Sequence, residues 1–127
     1  MDNVAQQKTL KVLVIDDSLE IQQLIKMSLE MIKQWQVFTA DSGLKGLEIA
    51  QNIDYLDLIL LDYLMPNING EEIIKKFSQN FHTSSIPVIF LTAQFDRHFN
   101  WSKLGAKGVI YKPFNPITLG DLIEDIL

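Results

Sequence analysis

The sequence predicts an α/β fold: a doubly wound parallel sheet of five strands with helices packed on both faces. Three observations predict it. Short runs rich in apolar and β-branched residues recur five times along the chain. Between them lie segments whose apolar residues repeat at helical spacing. The runs are apolar at consecutive positions rather than alternate ones, as strands buried on both faces must be. Strands separated by helices imply crossover connections, and hence parallel pairing.

The first run is Leu10 to Ile15, and it ends at Asp16-Asp17-Ser18. Ser18 is placed to cap a helix, because its hydroxyl can accept from a backbone N–H in the first turn. Ile21, Leu24, Ile25, Met27, Ser28 and Met31 follow at helical spacing. Trp35 to Thr39 reads as the second strand, and Asp41-Ser42 then caps a helix carrying Leu44, Leu47, Ile49 and Ala50. Leu56 to Leu61 is the third strand, with Asp62 at its end and a turn from Pro66 to Gly70 beyond it. Glu71 to Phe77 reads as a helix with acids early and lysines late, the order a helix dipole favours.

Ile86 to Leu91 is the fourth strand, with Pro87 tolerated near its start. A helix is expected from about Asp96 to Leu104, with Gly105 as its stop. Val109 to Tyr111 is the fifth strand. A last helix is expected to start near Pro116 and run to about Ile126.

The chain has 127 residues, the size of one domain (1–127, with its core at about 10–127 and a polar tail over 1–9). It lacks cysteine, which removes disulfides, thiolate chemistry and cysteine-based zinc sites. The net charge of −5 opposes direct contact with nucleic acid or anionic lipid over most of the surface. No apolar stretch reaches the length of a membrane span, and residues 1–9 lack the apolar core of a signal peptide. The expected location is the cytoplasm.

In a doubly wound sheet, ligands bind at the carboxyl ends of the strands where strand order reverses. The groups at those ends are Asp16 and Asp17, Asp62, Thr92 and Lys112. Carboxylates about 4 Å apart repel by roughly 4 kcal/mol at an effective dielectric near 20, so a cation is needed to join them. The donors are all hard oxygens, which favours magnesium, with manganese as a substitute, over zinc. Such a site can hold phosphate oxygens, with Lys112 and Thr92 as donors to a phosphoryl group. Taken singly, Asp16-Asp17 would serve as a helix cap, Asp62 as a turn former, Thr92 as structure and Lys112 as a surface charge. Four separate strands bringing suitable groups to one edge argue against that reading.

The motifs Val14-Ile15-Asp16-Asp17-Ser18, Leu60-Leu61-Asp62-Tyr63-Leu64-Met65-Pro66 with Gly70, Phe90-Leu91-Thr92-Ala93 and Lys112-Pro113-Phe114 occur in this order. With them the chain resembles the receiver domain of two-component response regulators, of the chemotaxis-receiver kind, from about Leu10 to Leu127. The resemblance implies a flavodoxin-like sheet of order 2-1-3-4-5 flanked by five helices. It implies that Asp62 is the phosphoacceptor for a histidine kinase or histidine phosphotransfer protein. It further implies that Asp17 is a direct magnesium ligand, that Asp16 acts largely through water, and that the carbonyl of Leu64 is another ligand beside Asp62. Thr92 matches the switch hydroxyl, Lys112 the lysine that pairs with the phosphoryl group, and Tyr111 the aromatic switch position. The bond before Pro113 is expected to be cis. The implied output surface is formed by the fourth helix, fifth strand and last helix. A downstream protein or effector domain, or a second receiver, would read it. No separate substrate is turned over.

Leu64 and Gln94 match the positions that flank the attacking water and tune the lifetime of the phosphoryl group. Leu64 cannot hydrogen-bond a water and is expected to shield the acyl phosphate. Phe95 and Phe99 lie one turn apart and read as core, with Trp101 as a candidate partner contact. His82 and His98 read as surface residues. Three rival functions would leave different marks in the sequence. A phosphatase of the haloacid dehalogenase type would carry a second aspartate where Leu64 stands. A flavodoxin-like carrier would need a phosphate loop where Asp16-Asp17 would repel the phosphate. A pseudo-receiver would keep the fold and bind partners without phosphorylation.

Overall fold

The computed structural model describes residues 8–66, 68–93 and 99–127. In chain order its elements are β1 (Lys11–Ile15), α1 (Leu19–Ser28), a π-helical turn (Leu29–Lys33), β2 (Gln36–Ala40) and α2 (Gly43–Asn52). They continue with β3 (Leu58–Asp62), α3 (Gly70–Gln79), β4 (Val88–Thr92), β5 (Gly108–Tyr111) and α4 (Leu119–Ile126). The strands form one sheet in the order β2-β1-β3-β4-β5, parallel throughout, as expected.

The consecutive apolar residues of the strands divide between two cores. Val12, Val14, Leu58, Leu60, Ile89 and Leu91 face one side, where Ile25 of α1 and Leu119 and Ile123 of α4 cover them. Leu13, Ile15, Ile59, Leu61 and Phe90 face the other, against Ala50 of α2 and Ile73 and Phe77 of α3. Each fully buried aliphatic side chain contributes about 2 kcal/mol of transfer free energy, so burial on both faces fixes the register of the central strands.

Helix starts follow their caps. Ser18, Ser42 and Asn69 each accept a bond from a backbone N–H in the first turn, of Ile21, Lys45 and Glu72. The last helix begins at Leu119, later than Pro116. Asn115 explains the delay: its side chain accepts from Ile117 N and its carbonyl from Thr118 N, which closes a turn first.

Two expectations need correction. The helix expected from about Asp96 to Leu104 is not seen in its described part. Trp101 to Gly105 form turns, with Gly105 N bonded to Ser102 O and Ala106 N to Trp101 O. Residues 94–98 lie outside the described residues, and with them Gln94, Phe95 and His98. Four α-helices therefore flank the sheet among the described residues, against five expected. The apolar spacing of the first helix also misplaced two residues. Its buried face is Gln22, Ile25, Ser28 and Leu29, whereas Met27 and Met31 point to solvent.

Candidate functional site

Because every strand runs the same way, the residues ending β1, β3, β4 and β5 reach one edge of the sheet. Asp16 is held there from all sides and is fully buried. Its backbone N–H donates to Ala40 O (3.1 Å), and its carbonyl accepts from Gln22 Nε2 (2.7 Å). One carboxylate oxygen accepts from Ser18 N (2.9 Å) and the other from Lys112 Nζ (2.7 Å). Gln22 was not singled out in the sequence. Its signal was a polar side chain on the buried face of α1.

Asp62 ends β3 and is 5% exposed. Its Oδ1 accepts from Leu64 N at 3.3 Å, and its Oδ2 lies 3.6 Å from Lys112 Nζ. Burial, followed by the neighbouring Asp16 charge, raises its pKa to about 6, although Lys112 and the Leu64 N–H pull the other way. A carboxyl group that resists ionisation beside two others has the electrostatic signature of a cation site. Oxygens from Asp16, Asp17 and Asp62 lie within 4.8 Å of one another, with Asp17 open to solvent. Three carboxylates with one open side suit a hard divalent cation.

The loop after Asp62 is fixed by its backbone. Tyr63 N donates to Leu91 O (2.8 Å), and Tyr63 O accepts from Gly70 N (2.8 Å). The Tyr63 ring meets Phe90 edge-on at 5.3 Å and Phe99 at 4.5 Å. Phe99 is thus a packing residue, as expected, and Trp101 is half-buried against the same core. Leu64, the next residue after Tyr63, is half exposed at the mouth of the site.

Thr92 ends β4, buried, and is the register partner of Tyr111 on β5. Thr92 O accepts from Lys112 N at 2.8 Å, which ties the lysine to the end of β4. Tyr111 is 37% exposed. The Lys112–Pro113 peptide bond is cis. The structure therefore gathers Asp16, Asp17, Asp62 and Lys112 within contact range and sets Thr92 on the adjoining strand. His82 stands away from them on the surface, its Nε2 on Ile53 O at 2.9 Å.

A parallel sheet of this order with three carboxylates and a lysine at its carboxyl edge defines a receiver. The family model for the response regulator receiver domain matches residues 12–124, and the chain belongs to that family. It is 28% identical over 120 residues to a chemotaxis protein CheY homolog of Campylobacter jejuni, covering 93% of this chain and 92% of that protein. It is 38% identical over 120 residues to the transcriptional regulatory protein CpxR of Escherichia coli, covering 92% of this chain but 49% of that protein. The crystal structure of the Vibrio cholerae chemotaxis protein CheY4 superposes with a TM-score of 0.86 at 31% identity, over 94% of this chain and all of that one.

Proposed function

We propose that the chain is a phosphoacceptor receiver that takes a phosphoryl group onto Asp62 from the phosphohistidine of a kinase or phosphotransfer protein. The observation that carries this reading is the placement of Asp62. It is a buried carboxylate with Asp16 and Asp17 within 4.8 Å and Lys112 at 3.6 Å. An Asp62 oxygen attacks phosphorus, the P–N bond of the donor breaks, and the departing imidazole keeps the electron pair and takes up a proton. Bound magnesium would supply charge neutralisation for the phosphoryl oxygens. Asp16, Asp17, Asp62 and the carbonyl of Leu64 are the groups to hold it. Lys112 then pairs with a phosphoryl oxygen, and the Thr92 hydroxyl donates to another.

Signalling follows as a population shift. Movement of Thr92 toward the phosphoryl group opens space beside β5 for Tyr111, and the surface around β5 and α4 changes. A downstream protein or effector domain reads that surface, and two receivers could pair through it. Nothing is turned over apart from the domain's own acyl phosphate. The cytoplasm, where histidine kinases present their phosphohistidine, is the compartment this reading requires. Among the described residues no helix is long and apolar enough to cross a membrane.

The test is intact mass after incubation with acetyl phosphate and magnesium, with Asp62→Ala alongside. One added phosphoryl group, dependent on magnesium and absent from the variant, is expected. If the folded wild type gains no mass from acetyl phosphate or from a phosphohistidine protein, the chain is a pseudo-receiver.

A further inference from the structure

The buried face of α1 carries one residue that packing alone does not explain. Gln22 is 6% exposed, in a stripe that continues through Ile25, Ser28 and Leu29. Burying an amide side chain is unfavourable unless its polar atoms find partners. Gln22 Nε2 donates to the carbonyl of Asp16 at 2.7 Å, and the Gln22 backbone N–H donates to the carbonyl of Ser18 at 3.0 Å. A single residue of α1 therefore grips the chain on both sides of Asp17.

Asp17 needs that hold more than the other two carboxylates do. Asp16 is fully buried, and its carboxylate is fixed by Ser18 N and Lys112 Nζ. Asp62 is buried too, with one oxygen on Leu64 N. Asp17 is open to solvent, so what aims its carboxylate is the backbone that carries it. The Asp16 carbonyl belongs to the planar peptide unit leading into Asp17, and the bond from Gln22 fixes the rotation of that plane. The same side chain lines an open groove of about 320 Å³ beside Asp17. Were the amide removed, water from the groove would satisfy the Asp16 carbonyl without holding the plane. The loss would then fall on the aim of Asp17 more than on the fold.

We propose that Gln22 is a positioning residue for the metal site, setting the direction of Asp17 before a divalent cation arrives. The role rests on the phosphoacceptor reading, in which Asp17 is a metal ligand. With the Asp16–Asp17 peptide free to rotate, an incoming cation has to order it, and affinity falls by the entropy of that ordering. Once the ion is bound, it holds Asp17 itself. The effect therefore appears in the affinity for the ion more than in the chemistry that follows. Gln22 touches no ligand atom, so its contribution is set at the low end of the roughly 10- to 100-fold that partners of metal ligands supply.

Calorimetric titration of magnesium chloride into the metal-free full chain tests the proposal. Gln22→Ala opens the position to the groove, and Gln22→Met keeps the stem without the donor. Gln23→Ala, on the exposed side of α1, is the control. Both Gln22 variants should raise the Kd for magnesium about tenfold, and the control should match the wild type. The titration is run where every variant is folded, so a protein that is merely less stable binds as tightly as the wild type. NMR relaxation gives a reading apart from affinity. The Asp17 amide of the metal-free wild type should show an order parameter of about 0.85, and that of Gln22→Ala should fall below about 0.6 until magnesium is added. In phosphorylation by acetyl phosphate, the magnesium concentration for half-maximal rate should rise with the Kd, while the maximal rate falls less. An unchanged Kd in folded Gln22 variants, beside normal binding by the wild type, overturns the role of Gln22 and leaves the receiver reading standing. So does a mobile Asp17 in the metal-free wild type, a result that needs no variant to fold. A wild type that binds no magnesium overturns both.

Discussion

Lys112 lies closer to Asp16 than to Asp62: its Nζ is 2.7 Å from Asp16 Oδ2 and 3.6 Å from Asp62 Oδ2. The lysine is thus held by a fully buried carboxylate while standing within reach of the proposed phosphoacceptor. Swinging toward a new phosphoryl group would need only a small movement, and Asp16 would then be free to serve a cation.

Lys112→Met should show how much this one cation offsets. Without it two buried carboxylates face each other, so the pKa of Asp62 rises further above about 6. Above that pH the buried Asp62 carboxyl must ionise with no cation beside it, and the fold should lose about 2 kcal/mol against the wild type. Below pH 5, where Asp62 is protonated in both proteins, the loss should shrink. Urea denaturation at pH 5 and pH 8 measures the difference, and an equal loss at both would contradict it. Phosphorylation by acetyl phosphate should fall more than tenfold.

Asp62→Asn should raise stability in neutral solution without metal. The folded pKa of Asp62 is raised from 3.8 to about 6. The native state therefore holds a proton that the unfolded chain gives up between those values. The stabilisation present at pH 4 is lost as pH rises through 6. An amide removes that charge, so the variant should be more stable than the wild type by about 1–2 kcal/mol at pH 8. The two should converge near pH 4. Magnesium should stabilise the wild type and leave the variant nearly unchanged. Thermal melts at three pH values, with and without magnesium, give the result; a variant no more stable at pH 8 would show that burial does not disfavour the Asp62 charge.

The parts of the molecule legible in the sequence are those governed by local composition. Leu58 to Leu61 could be read because consecutive apolar residues have one structural use in a chain of this length. The edge position of Asp16, Asp62, Thr92 and Lys112 followed from strand direction alone. Met27 and Met31 were misread because their spacing was taken for the buried stripe, which instead runs through Gln22, Ile25 and Ser28; Met27 precedes the π turn, so a straight helix exposes it as well. The start of α4 slipped from Pro116 to Leu119 because Asn115 forms a competing turn. The depth of Asp62 and the grip of Gln22 on Asp16 depend on contacts remote in sequence, which no local pattern reports.

Gly70→Ala should damage the site from a distance. A Cβ at position 70 would lie 2.8 Å from Tyr63 Cα and 3.1 Å from Phe90 Cε1, and the first is backbone that cannot swing aside. The loop that carries Leu64 would have to shift, at a cost of about 1–3 kcal/mol. Because Leu64 N also donates to Asp62, the shift should weaken magnesium binding as well. Tyrosine or tryptophan emission during magnesium titration would detect this. Unchanged affinity with lowered stability would separate the loop from the metal site.

Leu64→Asn tests whether a side chain at the mouth of the site sets the lifetime of the signal. Leu64 is 52% exposed, next to Tyr63 whose backbone is pinned on both sides, so its side chain has a fixed origin and an open outlook. Hydrolysis of the acyl phosphate needs a water in line with the P–O bond to Asp62. A leucine offers that water no hydrogen bond and occupies part of its approach, whereas asparagine would both make room and hold it. The dephosphorylation rate of purified phosphoprotein should rise several-fold in the variant, with phosphorylation by acetyl phosphate changed less. Stability should move little, since the exposed leucine buries little apolar area. If the rate is unchanged while the fold and phosphorylation are intact, water reaches phosphorus by a path that Leu64 does not screen.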